Sequence, residues 1–589
     1  MSEASTIPTP ATPDVCTMAL LVDGKDVSGD LQVRSVAISR ELNRIPIASI
    51  QVEDGEAAKG TFAISNSDRF VPGKTIEIQL GYRSQNDTVF KGLIVKQRLT
   101  VRKPGSALTL ECRGNAVKMT SANKSRYFID KKDSDIMEEL LDAHGLGKDV
   151  EATSPSLKEV VQYDATDWDF LLCRAEANGQ VVLVHDDKVR VAKPATSGAP
   201  VLEMAYGSTV LELDAEVDSR LQSKGIKATT WNAANQAIVE ADAQEPSTPA
   251  AGNIRASDLA KVLGDDTEEI KHAGALAADE LQSWADARLL RIRLAKVRGR
   301  AKCQGFAAVL PDTIVEITGI GERFEGKLYV SGVRHSVAGG NWETDVEFGL
   351  SPELFAETYN LRPLPASGLL PVISGLQMGI VTALENDPDG EDRVKCRLPL
   401  ISPSEEGVWA RLATLDAGKD RGTYFRPEIS DEIVVGFLND DPRHPVILGM
   451  CHSSAKPAPE KATDDNHHKG YVSREKLKLT FDDKKKIVGL ETPAGNSITL
   501  SEDAKGIVLE DQNGNKITLD DKGITIESAK DMVFKASNDV KLSGKNAEFS
   551  ADTAFKASGT STAELSGGMT TVKGNSMTAV KGPQVQVGP

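Results

Sequence analysis

The residues of this 589-residue chain that could do chemistry are its carboxylates, eight histidines and six cysteines. Two carboxylates can cleave a glycosidic bond, one as acid and one as base or nucleophile, if a fold holds them at a fixed separation. Glu460, Asp464 and Asp465 are crowded together, but they lie in the polar stretch Ser453 to Lys469, and seventeen residues cannot build such a fold. They read as a solvated linker. His467 and His468 invite a metal, yet adjacent side chains on an extended strand point to opposite sides, so one chain cannot chelate through both. Three chains could still place three copies of His467 or His468 around a common axis. His335 and His444 have no Cys, His or catalytic partner near them in sequence and read as structural polar contacts. Cys16, Cys112, Cys173, Cys303, Cys396 and Cys451 form no CxxC pair, which points to free thiols in a chain folded in a reducing compartment. No Ser, His and Asp arrangement, HExxH or phosphate loop is present. The expectation is a protein that is not an enzyme, with no catalytic residues, no cofactor and no metal.

Bulk properties narrow the class further. A formal net charge of -17 opposes a phosphate-tracking surface, so no nucleic-acid partner is expected, and the simplest role of the charge is solubility. Aromatics are only 5% of the chain, which suits many β-elements better than one bulky core. Met1 to Asp14, rich in Thr, Pro and Ala, has neither a basic n-region nor an apolar h-region and is read as a disordered N-terminus rather than a secretory signal. No apolar stretch is long enough for a membrane-spanning helix.

Hydrophobic periodicity then gives the elements. Residues 15–113 read as short strands broken by Asp23-Gly24 and Asp54-Gly55 turns, forming a β-barrel or closed sheet. Residues 114–200 are a mixed α/β domain, with helices over Asp133 to His144 and Ala165 to Asn178 and a hairpin around Asp186-Asp187. Residues 201–360 return to strands with a helical insertion over Ala256 to Leu263 and Ala273 to Arg298, and 232–252 read as a mobile loop of no assigned role. Residues 372–452 have the size of a small five-stranded OB-fold barrel, 453–475 are a linker, and 476–589 are repetitive.

The repeats carry the most information. Gly495-Asn496-Ser497-Ile498-Thr499-Leu500 recurs nineteen residues on as Gly514-Asn515-Lys516-Ile517-Thr518-Leu519, and Val572-Lys573-Gly574 recurs eight residues on as Val580-Lys581-Gly582. Apolar pairs two apart, such as Val540/Leu542 and Val585/Val587, mark short strands with one face to bury. An octad is too short for a single-chain β-helix coil. Three chains winding together, each covering the other two, give an intertwined trimeric β-prism with its edges paired. The final Val585-Gln586-Val587-Gly588-Pro589 would leave a flat apolar strand end in each chain, which makes Val585, Val587 and Pro589 the expected contact with a small tip protein.

Three segments resemble the Vgr family of spikes in contractile injection systems. Asn43-Arg44-Ile45-Pro46-Ile47-Ala48, with Phe70-Val71-Pro72-Gly73 and Val89-Phe90-Lys91-Gly92, is similar to the family's first barrel. Asp167-Trp168-Asp169-Phe170-Leu171 and Arg174-Ala175-Glu176-Ala177-Asn178-Gly179 follow. Asp431-Glu432-Ile433-Val434-Val435-Gly436-Phe437 and Asp441-Pro442-Arg443-His444-Pro445-Val446-Ile447-Leu448-Gly449 are the most specific run. Ser430 stands where the family usually has Gly, a change that costs little if its φ is negative. The resemblance implies a mainly β chain with two tube-like β-barrels, an α/β insertion, an OB-fold and a β-prism. It implies a homotrimer whose six tube-like barrels mate with a hexameric tail-tube protein, with a PAAR-type tip protein on the C-terminal end and baseplate proteins around it. An effector cargo and transient contact with a target membrane are further implied partners. It also implies synthesis in the cytoplasm without a signal peptide and delivery outward in the particle. Type VI secretion and an extracellular phage-tail-like particle are both open, and the alternative is a trimeric tailspike-like surface enzyme or receptor-binding stalk.

Overall fold

The computed structural model describes residues 5–6, 15–103 and 105–588. The disordered N-terminus expected over 1–14 lies outside the described residues, apart from a two-residue strand, Ser5–Thr6, beside Leu202–Ala205. The chain divides into two compact units, Met1–Leu376 with Gly436–Val446, and Gln377–Val435 with Ile447–Pro589.

In the first unit, alternating strands such as Val33–Glu41, Ile47–Glu53 and Thr75–Tyr82 bury one face around Ile50, Ile78, Phe90 and Leu110. A second group, including Val297–Gln304, Ile314–Thr318 and Asn341–Phe348, encloses Val315, Val330, Val346 and Phe348. The long strand Gly326–Ala338 belongs to the second group and also pairs antiparallel with Val33–Glu41, from Gly332↔Glu41 to Ala338↔Ser35. The two groups are thereby one fourteen-stranded sheet.

The helices begin and stop where their end residues allow. Thr166 caps Asp167–Ala177 by accepting from the Asp169 amide at 3.1 Å, and Gly179, with φ of 67°, supplies the left-handed residue beyond its end. The Asp-Trp-Asp-Phe-Leu motif has a physical reason. Asp167 is fully buried at the first turn and accepts from Lys124 (2.5 Å), Arg126 (2.8 Å), His144 (2.8 Å) and Gln162 (2.9 Å). Burial alone would raise its carboxyl. The hydrogen bonds from Lys124, Gln162 and His144 and the charge of Arg126 outweigh that and hold it at about 2. Glu176, at the other end of the helix, accepts from Arg291 (2.5 Å) and from the Phe355 amide (2.8 Å), so it fastens this helix to Ala278–Leu294. Asn43, at φ of 60°, accepts from the Val182 amide at 2.8 Å and returns its own amide to the Val182 carbonyl at 2.8 Å.

The reading of 232–252 as a mobile loop is corrected. Ala237–Asp242 is a strand that pairs antiparallel with Gly225–Asn232, placing Ile238 opposite Trp231. Val239 and Ala241 pack toward Leu281, Ala285 and Leu289 of the long helix. The Ala- and Glu-rich composition hid an Ile-Val pair with a strand's alternation.

Gln377–Ala383, Val394–Arg397, Val408–Leu412, Pro445–Met450 and Glu432–Phe437 close into a five-stranded barrel. Val381, Val394, Cys396, Ala410, Ile433, Val435 and Ile447 fill it. Ser430, just before the Asp-Glu pair, has φ of 72° rather than the negative value that would make it harmless. Its amide must reach the Val381 carbonyl at 2.9 Å, and that demand holds the backbone left-handed, where a Cβ is strained.

Two outcomes follow from these sites. Ser430→Gly should raise stability by about 0.5–1 kcal/mol in chemical denaturation, because it removes the Cβ penalty at positive φ. Asp167 has a folded pKa below its unfolded value, so its contribution is present above the ordinary carboxylate range and is lost as pH falls toward about 2. Asp167→Asn should cost about 2 kcal/mol at neutral pH and flatten the melting temperature's dependence on pH between about 4 and 2, measured by thermal unfolding.

Candidate functional site

Seven antiparallel strands from His468–Val472 to Gly523–Glu527 follow one another as a meander, each paired with the next. The nineteen-residue repeat makes its hairpins within the chain. Its corners need Gly495 and Gly514, at φ of 96° and 88°. Asn496 and Asn515 stitch successive corners, with Oδ1 accepting from the Gln512 amide at 3.2 Å and the Ala529 amide at 3.1 Å.

The register decides what the meander presents. Tyr471↔Leu479↔Leu490↔Ile498↔Leu509↔Ile517↔Ile526 runs as one row across all seven strands. Phe481↔Val488↔Leu500↔Ile507↔Leu519↔Ile524 runs parallel to it, two residues along each strand and therefore on the same face. Between them Thr480↔Gly489↔Thr499↔Val508↔Thr518↔Thr525 faces the other way. The apolar face stays uncovered by its own chain: Leu490 is 47% exposed, Leu500 45% and Ile526 50%. It borders an open groove of about 690 Å³ that continues to Met532 and Val533, where the shorter repeats begin.

From Ala529 to Gly588 every residue is exposed and no strand of the same chain lies alongside another. Val540, Leu542, Phe549, Phe555, Val572 and Val580 extend the apolar stripe outward. Val585 is 49% exposed and Val587 91%, whereas Pro589 lies outside the described residues.

The residues singled out for chemistry are scattered. His468 has Nδ1 2.6 Å from Glu460 and Nε2 3.5 Å from Asp482, and the Glu460 hydrogen bond raises its pKa. His467 lies 3.6 Å from Asp465, which also accepts from Thr463. Among the described residues no three His, Cys, Asp or Glu side chains gather as a metal site. His335 is buried beside Thr344 (3.0 Å) and the Trp342 indole N–H (3.4 Å), and burial, with Arg40 nearby, pushes its pKa down to about 3. It is a neutral structural group. His444 is exposed on the turn that leads into Pro445–Met450, and its backbone N–H donates to the Asp441 carbonyl at 3.0 Å. All six cysteines are free thiols. Among the described residues no helix is long and apolar enough to cross a membrane.

Residues 12–339, more than half of the chain, match the Alg8 N-terminal domain family. Residues 377–452 match the type VI secretion system/phage-baseplate injector OB domain, and 486–587 the phage baseplate V C-terminal trimerisation domain. From Val488 to Ile526 the uncovered apolar face falls inside that last match. The chain belongs to the family of the Alg8 N-terminal domain over its first half and carries the OB and trimerisation domains of phage-baseplate and type VI secretion spikes beyond it.

Two curated relatives are spike proteins of the Pseudomonas aeruginosa type VI secretion system. VgrG1b is 25% identical over 202 residues, 31% of this chain and 26% of that protein. VgrG1c is 30% identical over 124 residues, 19% of this chain and 16% of that protein. The matched stretch is thus about a quarter or less of either relative. Among solved structures, a tail protein from Neisseria meningitidis MC58 superposes with a TM-score of 0.44 at 14% identity, over 57% of this chain and 96% of that one.

A spike chain with this face should be a trimer in solution. Light scattering after size exclusion should give three times the 63.1 kDa chain mass. Ile498→Asp with Ile517→Asp, placing charge in the row across the meander, should lower the mass to that of one chain, since each buried Ile contributes about 2–3 kcal/mol. A trimer that survives both substitutions would separate the apolar face from assembly.

Proposed function

We propose that three copies of this chain form the central hub and piercing point of a contractile injection system. The observation that carries this reading is the two-row apolar face, one row crossing seven strands and the other six, most of it inside the match to a trimerisation domain. A rod built this way is narrow, and its small side chains beyond Phe555 let it taper. Residues 15–113 and 201–360 act as tube-like domains, so a trimer presents six of them to a hexameric tail-tube protein. The far end keeps threefold symmetry. The chain then adapts six-fold to three-fold symmetry, caps the tube and punctures the target envelope, with the work supplied by sheath contraction and no chemistry of its own. Support for a non-enzymatic role comes from its relatives, which are named as spike proteins, and from carboxylates and histidines that are engaged in local pairs or are solvated.

In this reading Val585, Val587 and Pro589 seat a PAAR-type tip protein, baseplate proteins surround the hub, and effector cargo travels with the particle. The protein is made in the cytoplasm and leaves with the particle, making transient contact with the target membrane. Val585→Asp with Val587→Asp tests the tip. In cells that assemble the particle, the variant should remain trimeric while delivery falls at least about tenfold, because charge on the seating surface abolishes apolar docking. Undiminished delivery by the variant would remove the tip role from these residues.

A further inference from the structure

The barrel carries an apolar surface that its own closure does not need. Between Val408–Leu412 and Glu432–Phe437 the chain makes a long excursion, Ala413 to Asp431, with a small hairpin of Ala417–Gly418 and Arg421–Gly422. Leu415 on this excursion is 95% exposed, Tyr424 79%, Phe425 56% and Ile429 59%. Single exposed apolar residues are ordinary, but four large ones on one loop form a patch that marks an interaction surface. The loop is not slack. Thr414 Oγ1 donates to the Thr423 carbonyl at 2.9 Å, and the Thr423 amide donates to the Asp416 carbonyl at 2.8 Å. Its charges are largely closed on themselves or on the barrel, with Arg421 on Asp416 at 2.6 Å and Arg426 on Asp392 at 2.5 Å. Outside the hairpin tip at Lys419 and Asp420, what remains to be matched is mainly apolar.

The position of the patch says what covers it. Phe425 packs on Tyr471 with ring centroids 4.7 Å apart, and Arg474 reaches Glu428 at 3.0 Å. Tyr471 is the first member of the long apolar row that crosses the meander to Ile526. The loop patch is therefore the upstream continuation of the face that runs into the trimerisation domain. A neighbouring copy seated on that row reaches Phe425 without a break in apolar surface, and most of the loop's charges are already paired, with Lys419 and Asp420 at the tip of its small hairpin.

We propose that Leu415, Tyr424, Phe425 and Ile429 dock against a second copy of this chain, so that the trimer contact extends from the spike onto the OB barrel. This rests on the trimeric reading above. Its consequence is mechanical: torque and thrust pass from barrel to barrel, and the junction at Tyr471 is clamped from both sides.

The test is photo-crosslinking in the full-length protein with p-benzoylphenylalanine replacing one residue at a time. Ile517→p-benzoylphenylalanine reports the spike face, and Glu385→p-benzoylphenylalanine, an exposed barrel position, reports background. Leu415 and Tyr424 replacements should each give covalent interchain dimers within about threefold of the Ile517 yield and roughly tenfold above Glu385, as for a continuous buried interface. Interchain adducts from Ile517 with only background from Leu415 and Tyr424 would overturn the proposal and leave the trimeric spike intact. Background from all positions would overturn the trimeric reading and this proposal together. Leu415→Asp with Tyr424→Ser supplies a second readout: the trimer mass should be kept while the thermal transition falls by several degrees, and an unchanged transition would also count against the clamp.

Discussion

An apolar face that its own chain cannot bury is the constraint on which the rest of the spike depends. Two rows of Leu, Ile, Val and Phe lie side by side across the meander, about half exposed, while a Thr-rich row faces outward. Each such side chain contributes about 1.5–3 kcal/mol when fully removed from water, so the face strongly favours partners. Backbone pairing is met differently along the spike. The nineteen-residue units satisfy it by hairpins within the chain, and the octads beyond Ala529 have no neighbouring strand of their own. In the proposed trimer, assembly would supply face burial to the first stretch and both burial and ladder bonds to the second.

The first unit meets the opposite demand, since its sheet and helices bury their faces within one chain. Its strength is concentrated in buried charges that join elements distant in sequence. Asp167 gathers Lys124, Arg126, His144 and Gln162, and Glu176 ties the same helix to Arg291 and the Phe355 amide. A buried carboxylate with several donors keeps its charge because the hydrogen bonds outweigh desolvation. Such hubs are directional, unlike apolar packing, and hold the helices in one register against the sheet. The family-like motifs of this region are the hubs themselves with their helix caps.

Much of the fold was legible because its signals are local. Gly179 and Thr166 mark helix ends by backbone geometry, and the Gly-Asn repeat marks corners by the need for positive φ. Ile238 was missed because a single Ile-Val pair in an Ala- and Glu-rich stretch gains meaning only when Trp231 lies opposite. The sign of φ at Ser430 was illegible for a similar reason. It is imposed by a hydrogen bond to Val381, forty-nine residues earlier, not by Ser itself.

By itself the sequence determined the class of molecule: a mainly β chain whose short, two-spaced repeats cannot close a core alone. Periodicity and turn chemistry are properties of neighbouring residues, and neighbours suffice to read them. Tertiary structure alone decided which residues share a row, that Tyr471 joins that row to Phe425, and that Asp167 rather than a histidine is the buried electrostatic centre of its domain. Those facts depend on strand register and on contacts between segments far apart in sequence, where a shift of one residue would turn every apolar side chain to the opposite face.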